Sequence, residues 1–184
     1  MMDYINEAKS KMEKAIESAK DNFAGIRTGR ANPAIFANIT AEYYGNPTPL
    51  KNVANMNAID ARTVQFTVFD KSMLSAVEKA LRDSDLGVNP MRDGDVIRVT
   101  MPELTKERRT EYVKLAKQKS EDGKVALRNV RHKIKQTIDA DKKSGEISED
   151  DAKGKEKKLD ELVKDFSAQI DALLKNKEAE LMEV

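Results

Sequence analysis

The sequence comprises 184 residues, and its 33 Lys and Arg against 32 Asp and Glu give a formal charge of +1. The absence of cysteine excludes disulfides, thiolate catalysis and sulfur-ligated metal sites, and the single histidine, His132, excludes metal sites with several histidines. No uncharged stretch approaches the roughly 18 apolar residues of a membrane span, and the N-terminus lacks the apolar core of a signal peptide. We therefore predict a cytoplasmic, non-enzymatic protein without metal, cofactor or membrane contact.

The N-terminal segment predicts a helix that packs in a bundle. Its apolar residues are spaced alternately by three and four positions, which places them on one helical face. They are Ile5, Ala8, Met12, Ala15, Ala19, Phe23 and Ile26.

A segment of different composition follows, because all five prolines and few of the charged residues lie in residues 31–103. Alternating residues predict strands over 39–43, 63–69 and 96–99, and the proline-bearing stretch 45–49 is expected to end the first strand. Alternation also predicts that one ring of Tyr43 and Tyr44 is buried and the other exposed. Leu74, Val77 and Leu81 share one face of a short helix, for which Ser72 is the expected N-cap.

Two further helices are predicted after this segment. Thr105 is positioned to cap the second helix, whose apolar face has a gap between Ala116 and Val125 that Gly123 and lysine stems could cover. Gly145 ends it, and Ser148 begins a third helix with an acidic first turn and capping-box spacing.

The predicted fold is α+β. A long antiparallel three-helix bundle over 1–30 and 104–184 is interrupted by a small inserted α/β, mostly β, domain over 31–103. A coiled-coil dimer is the competing arrangement, but the short turn at Gly145 favours packing within one chain, and we expect a monomer.

Two connections join the predicted domains, and no long helix is expected to cross the boundary. A hinge and a rigid shared interface fit these connections equally well. The residues assigned to the hinge are Arg30, Ala31, Pro102, Glu103 and Leu104.

The near-zero net charge conceals a polarity along the chain. Residues 106–135 contain 11 basic and 4 acidic residues, whereas those from Asp139 onward contain 9 basic and 14 acidic ones. Within the acid-free stretch 123–138, four cations recur at helical spacing without i, i+4 acids: Lys124, Arg128, Arg131 and Lys135, hereafter the basic stripe. Such a stripe suits a polyanion such as RNA, but the acidic third helix could equally neutralise it within the bundle.

Arginines also cluster near the two connections. They could bind phosphates at one end of the bundle or pair with acids of the bundle. They are Arg27, Arg30, Arg108 and Arg109.

Sequence motifs along the whole chain resemble those of the bacterial ribosome recycling factor family, in the family's order. They are Ile26-Arg27-Thr28-Gly29-Arg30-Ala31-Asn32-Pro33, Glu42-Tyr43-Tyr44-Gly45-Asn46-Pro47-Thr48-Pro49-Leu50, Val68-Phe69-Asp70-Lys71-Ser72-Met73, Ser84-Asp85-Leu86-Gly87-Val88-Asn89-Pro90, Leu104-Thr105-Lys106-Glu107-Arg108-Arg109, Arg128-Asn129-Val130-Arg131 and Glu178-Ala179-Glu180-Leu181-Met182.

The resemblance implies a function. It implies a factor that binds the large ribosomal subunit after termination, with basic residues on ribosomal RNA phosphates, and that splits the ribosome together with the GTPase elongation factor G. By motif, Arg131 and Arg128 are the first candidates for RNA contact, followed by Arg27, Arg30 and Arg109. His132 departs from the family, in which a second base commonly follows Arg131.

A helical scaffold that binds another protein through the acidic third helix is the alternative function. An enzyme would need a carboxylate or lysine site that the sequence does not suggest.

Overall fold

A computed structural model describes residues 3–183, so residues 1, 2 and 184 of the predicted bundle lie outside the described residues. The chain forms two compact units: a helical unit, which runs up to Ile26 and resumes at Thr110, and a small unit, Arg27–Arg109. The helices and strands, in chain order, are α1 (Tyr4–Ala24), β1 (Thr40–Tyr43), β2 (Asn46–Pro49), β3 (Ala54–Ala58), β4 (Thr63–Val68), α2 (Leu74–Arg82), β5 (Pro90–Asp93), β6 (Val96–Thr100), α3 (Lys106–Ser144) and α4 (Glu149–Met182). Short 3₁₀ turns occupy Pro33–Phe36, Leu50–Asn52 and Lys71–Met73.

The helix starts follow local capping chemistry. The Thr105 hydroxyl accepts a hydrogen bond from the Arg108 amide at 3.1 Å, and the Ser148 hydroxyl accepts one from the Asp151 amide at 3.0 Å. Each satisfies a backbone donor that has no partner within its helix, so both predicted caps are confirmed.

Side-chain contacts define the directions of the helices in the helical unit. The Tyr4 hydroxyl donates to the Asp141 carboxylate, and Ala19 lies beside Gly123, so α1 and α3 are antiparallel. A turn at Gly145, whose φ is +84°, reverses the chain between α3 and α4. Together with the shared apolar cluster described next, these contacts confirm the predicted three-helix bundle.

The apolar cluster of the helical unit draws on all three helices. In α1 the buried position is Ile16, and Ala15 is only half-buried, because the helical face drifts from the predicted spacing. In α3 the gap in the apolar face is covered by the buried residues Ser120 and Gly123. The absence of a side chain at Gly123 matters, because an added Cβ would lie 2.9 Å from Cδ1 of Ile170.

The small unit places one helix between two sheets. Strands β3, β4, β6 and β5 form a four-stranded antiparallel sheet in that order, while β1 and β2 form a separate hairpin. Helix α2 contacts β1 of the hairpin and β5 and β6 of the four-stranded sheet. The core between these layers includes Phe36 and Phe66, whose rings meet edge to face at 5.3 Å.

The hairpin corrects one prediction. Residues 45–49 do not simply end the first strand, because Asn46–Pro49 form β2 and pair with β1. Tyr44 and Gly45 make the two-residue turn with φ values of +49° and +78°, the combination that matches the twist of a hairpin. Tyr44 is 80% exposed, as the alternation predicted for one of the two rings, but Tyr43 is half-buried and not fully buried.

The start of α2 also differs from prediction. Ser72 is not the cap. The Asp70 carboxylate accepts hydrogen bonds from both the amide and the hydroxyl of Ser72, which lowers the pKa of Asp70. The chain makes a 3₁₀ turn there before α2 begins at Leu74.

The residues assigned to the hinge all lie inside the small unit. The Ala31 amide donates to the Ala61 carbonyl at 2.8 Å, and the Arg62 guanidinium donates to the Met101 carbonyl at 2.9 and 3.1 Å. Helix α3 begins at Lys106, after the predicted boundary at 103/104, and its first turn belongs to the small unit.

The approach at Gly123 generates a stability prediction. Gly154→Ala should stabilise the protein by about 1 kcal/mol, because Gly154 is helical, exposed and has open space around it. Gly123→Ala should gain less, because the new methyl group collides with buried Ile170. Denaturant unfolding of both variants measures the difference.

Ile170→Val supplies the control, since it removes the colliding methyl group. It should cost roughly 0.5–1.5 kcal/mol in the parent protein and less in the Gly123→Ala background. Equal gains from the two glycine substitutions, with no coupling to Ile170, would refute the close approach.

The bond between Tyr4 and Asp141 generates a prediction about pH. That hydrogen bond, together with burial and the nearby charges of Asp141 and Glu146, raises the pKa of Tyr4 from 10.0 to about 12. Because the raised pKa favours the neutral phenol in the folded state, its stabilisation is complete below pH 10 and is lost as the pH rises toward 12. An absorbance titration of tyrosinate should show one late tyrosine that Tyr4→Phe removes. Four tyrosines that all titrate near 10 would contradict the assignment.

Candidate nucleic-acid interface

The basic stripe occupies one face of α3 in the helical unit. Its four side chains follow one another at intervals of four, three and four residues, which is the spacing of one helical face. They remain partly open to solvent, with exposed side-chain fractions from 28% at Lys124 to 55% at Arg128. The stripe therefore presents a linear series of cations along the helix axis.

Each member of the stripe has an acidic partner. Lys124 pairs with Asp171 and Arg131 pairs with Asp160, both at 2.6 Å across to α4. The acidic helix α4 therefore partly neutralises the stripe, which is one of the two interpretations that the sequence allowed.

The other two members pair mainly within α3. Arg128 pairs with Glu121 at 2.6 Å. Lys135 contacts Asp139 at 3.1 Å, and Glu156 of α4 lies at 3.8 Å. The statement that the stripe lacks i, i+4 acids is therefore wrong for Lys135, whose partner lies one residue beyond the acid-free stretch.

The acids of α4 that face the stripe were not singled out from the sequence. Glu156, Asp160 and Asp171 are spaced by 4 and 11 residues. At about 100° per residue they fall within about 60° of one another around α4. Cations further along α3 pair with acids that lie earlier in α4, from Lys124 with Asp171 to Lys135 with Glu156. The ion pairs therefore also establish that these two helices are antiparallel.

The pairing leaves hydrogen-bond donors available in the stripe. Among residues 3–183, Arg131 is bonded only through Nε, so its two Nη groups keep donors to spare. Arg128 uses only Nη2. The hydrogen bond to Asp139, with the charges of Asp139 and Glu156, raises the pKa of Lys135. Guanidinium and ammonium groups are the kinds of donor that bind phosphate oxygens in proteins.

The other three arginines that the resemblance implicated lie in the small unit. Arg27 does not present a free guanidinium. Its Nη1 donates to the Leu86 carbonyl at 2.6 Å, and its Nε is buried without a hydrogen-bond partner. Arg30 is exposed and Arg109 is half-buried in the first turn of α3. The structure therefore places Lys124, Arg128, Arg131 and Lys135 along one face of α3 in the helical unit, whereas the other three arginines belong to the small unit.

His132 is exposed on α3. Within residues 3–183, no group of three or more His, Asp and Glu is placed to hold a metal ion. None of the helices in that range has the length and apolar character needed to cross a membrane.

Comparison with known proteins points to one family. The sequence profile described as "Ribosome recycling factor" matches residues 19–182. The chain is 56% identical over 183 residues to the ribosome-recycling factor of Bifidobacterium longum, with 100% of both chains covered. It is 56% identical over 178 residues to that of Streptomyces coelicolor, covering 97% of this chain and 96% of the relative.

Solved structures give the same result. A solution structure of the ribosome recycling factor superposes with a TM-score of 0.75 at 38% identity, covering 99% of this chain and 97% of the other. A T. thermophilus ribosome recycling factor, described with E. coli elongation factor G bound to the E. coli post-termination complex, matches at a TM-score of 0.68 and 39% identity, covering 98% and 97%. Sequence and fold agree over essentially the full length, and this chain belongs to the ribosome recycling factor family.

Proposed function

We propose that this chain is a non-enzymatic translation factor of the cytoplasm. It binds the large ribosomal subunit after termination and acts with the GTPase elongation factor G to split the ribosome into subunits. Membership of the ribosome recycling factor family over the full chain is the observation that carries this function. The related structure described with elongation factor G on the post-termination complex supports both partners.

The alternative, a scaffold that binds a protein through the acidic third helix, is less well supported. Three acids that such a partner would use, Glu156, Asp160 and Asp171, already face cations of α3. Family membership supports the ribosomal function and not this one.

The basic stripe is the RNA-binding face in this proposal. Its four cations lie on one face, they are open to solvent, and Arg131 keeps both Nη groups for a phosphate. Arg30 and Arg109 are secondary candidates in the small unit. We leave Arg27 out, because its guanidinium is engaged with the Leu86 carbonyl.

The acids of α4 have a role in the same proposal. A phosphate that approaches Arg131 competes with the Asp160 carboxylate, which lies 2.6 Å from Nε. Exposed ion pairs are worth roughly 0.2–1 kcal/mol, so Asp160 weakens RNA binding modestly without preventing it. Such a balance permits both tight placement and release of the factor.

Ribosome binding tests this arrangement. Arg131→Ala should weaken binding to large subunits about ten-fold and lower the salt slope by roughly one unit, because one phosphate contact is lost. Asp160→Asn should tighten binding about two- to five-fold, because the competing carboxylate is gone. Sedimentation or fluorescence titration at several salt concentrations measures both effects.

A matched control separates local competition from general charge. Asp165→Asn makes the same charge change on α4 at an exposed position that forms no ion pair among residues 3–183, and it should change binding less than Asp160→Asn. Unfolding should show that each variant retains its stability within about 1 kcal/mol. An Arg131→Ala protein that binds normally but melts early would make Arg131 a structural residue instead.

We further propose that motion between the two units accompanies splitting. Because the five residues assigned to the hinge lie inside the small unit, the proposed movement is absorbed at the boundaries, after Ile26 and within the first turns of α3. The backbone bonds at Ala31 and Met101 support this placement, since they hold both connections to the small unit.

A reducible crosslink tests the proposed motion. Cysteine, absent from the native chain, can be placed once in each unit and bridged. The bridged protein should still bind large subunits, because the basic stripe is untouched, but it should not split ribosomes with elongation factor G and GTP until the bridge is reduced. If several bridges at different positions all leave splitting at full rate, the boundary is not a working hinge.

A further inference from the structure

A groove of about 490 Å³ lies beside β1 in the small unit, between that strand and α2. Four consecutive residues, 39–42, line it. Consecutive residues of a strand direct their side chains to opposite faces of the sheet. Because all four consecutive residues line the groove, the groove follows the edge of the strand and not one of its faces. The groove therefore runs along the backbone of β1.

The hydrogen bonds of the hairpin show that this edge is unpaired. The Leu50 amide donates to the Ile39 carbonyl at 2.8 Å, and Tyr43 lies opposite Asn46 across the two-residue turn. In an antiparallel pair the residues that bond inward alternate, so Ile39, Ala41 and Tyr43 face β2. Thr40 and Glu42, both exposed, direct their amide and carbonyl groups outward along the groove.

The opposite edge of the same hairpin is closed. Pro49 pairs with Thr40 and Pro47 pairs with Glu42, so the two prolines occupy the outward-facing positions of β2. Proline has no amide donor and is a common protection against strand addition at an edge. The hairpin is thus blocked along β2 and open along β1.

The helix side of the groove leaves room for a strand. Ala76 and Ala80, one turn apart on α2, are half-buried and line the groove with methyl groups only. The sheet that contains β1 has only two strands, whereas the other sheet of the small unit has four. A third strand, placed about 4.8 Å from β1, would cover the open surface of these alanines.

Charge selects the occupant. The residues that line the groove include three acids, Glu42, Asp83 and Asp85, and one base, Lys79. We infer that this groove binds an extended, lysine- or arginine-bearing segment of a partner protein, which adds to β1 as a third strand. Backbone hydrogen bonds to Thr40 and Glu42 would supply the affinity, and the acidic rim would select basic side chains. This inference does not rest on the role of the basic stripe in RNA binding.

A peptide titration of the full chain tests the inference. The probe is the blocked peptide acetyl-Lys-Val-Lys-Val-Lys-amide, followed by amide shifts in NMR. We expect the amides of Thr40 and Glu42 to shift most. The same peptide with every backbone nitrogen methylated should bind roughly ten-fold more weakly or worse, because it keeps the charge and loses the donors. Its counterpart with Glu in place of Lys should not bind.

Two variants locate the site. Thr40→Pro removes an outward amide without touching the bonds between β1 and β2, and it should abolish the shift at Glu42. Asp83→Asn should weaken binding more than Asp165→Asn, a matched change at an exposed position of α4 that forms no ion pair among residues 3–183. Shifts scattered over surface acids, undiminished binding of the methylated peptide, or equal binding of the acidic peptide would each overturn the inference.

Discussion

The apolar seam shared by α1, α3 and α4 is the constraint on which the helical unit depends, because no helix in it can bury its apolar face alone. Burial of Met12, Leu127 and Ile170 in one cluster fixes how each helix is rotated about its axis. The seam also fixes the register of α3 against α4. At Gly123 the two helices approach closely, because the missing side chain leaves room for Ile170. That rotation and register decide which charged residues face one another and which face solvent.

The proposed RNA-binding face depends on this charge arrangement. A stripe of cations without partners would repel itself and bind any polyanion, whereas a fully paired stripe would bind none. In this chain the pairs are exposed and weak, and Arg131 is held by Nε alone among the described residues. The geometry suits a factor that must bind the ribosome and leave it again, as membership of the ribosome recycling factor family requires.

Much of this structure could be predicted from the sequence, because helices and caps obey local rules. The spacing of apolar residues predicted the bundle, and Thr105 and Ser148 cap their helices as expected. Two local features were not predicted. Asp70, and not Ser72, accepts the hydrogen bonds at the turn before α2. The left-handed backbone of Tyr44 allows a hairpin where the prolines had suggested only the end of the first strand. The partners of the stripe, such as Asp160, could not be assigned, because they depend on a register that only packing in three dimensions fixes.

A double-mutant cycle on ribosome binding tests the central claim most directly, namely that Asp160 acts on RNA affinity through Arg131. The affinity for large subunits would be measured for the parent protein, Arg131→Ala, Asp160→Asn and the double variant at one salt concentration. We expect Asp160→Asn to tighten binding in the parent protein and, in the Arg131→Ala background, to do no more than Asp165→Asn. Equal tightening in both backgrounds would contradict it, because Asp160 would then act only through the overall charge.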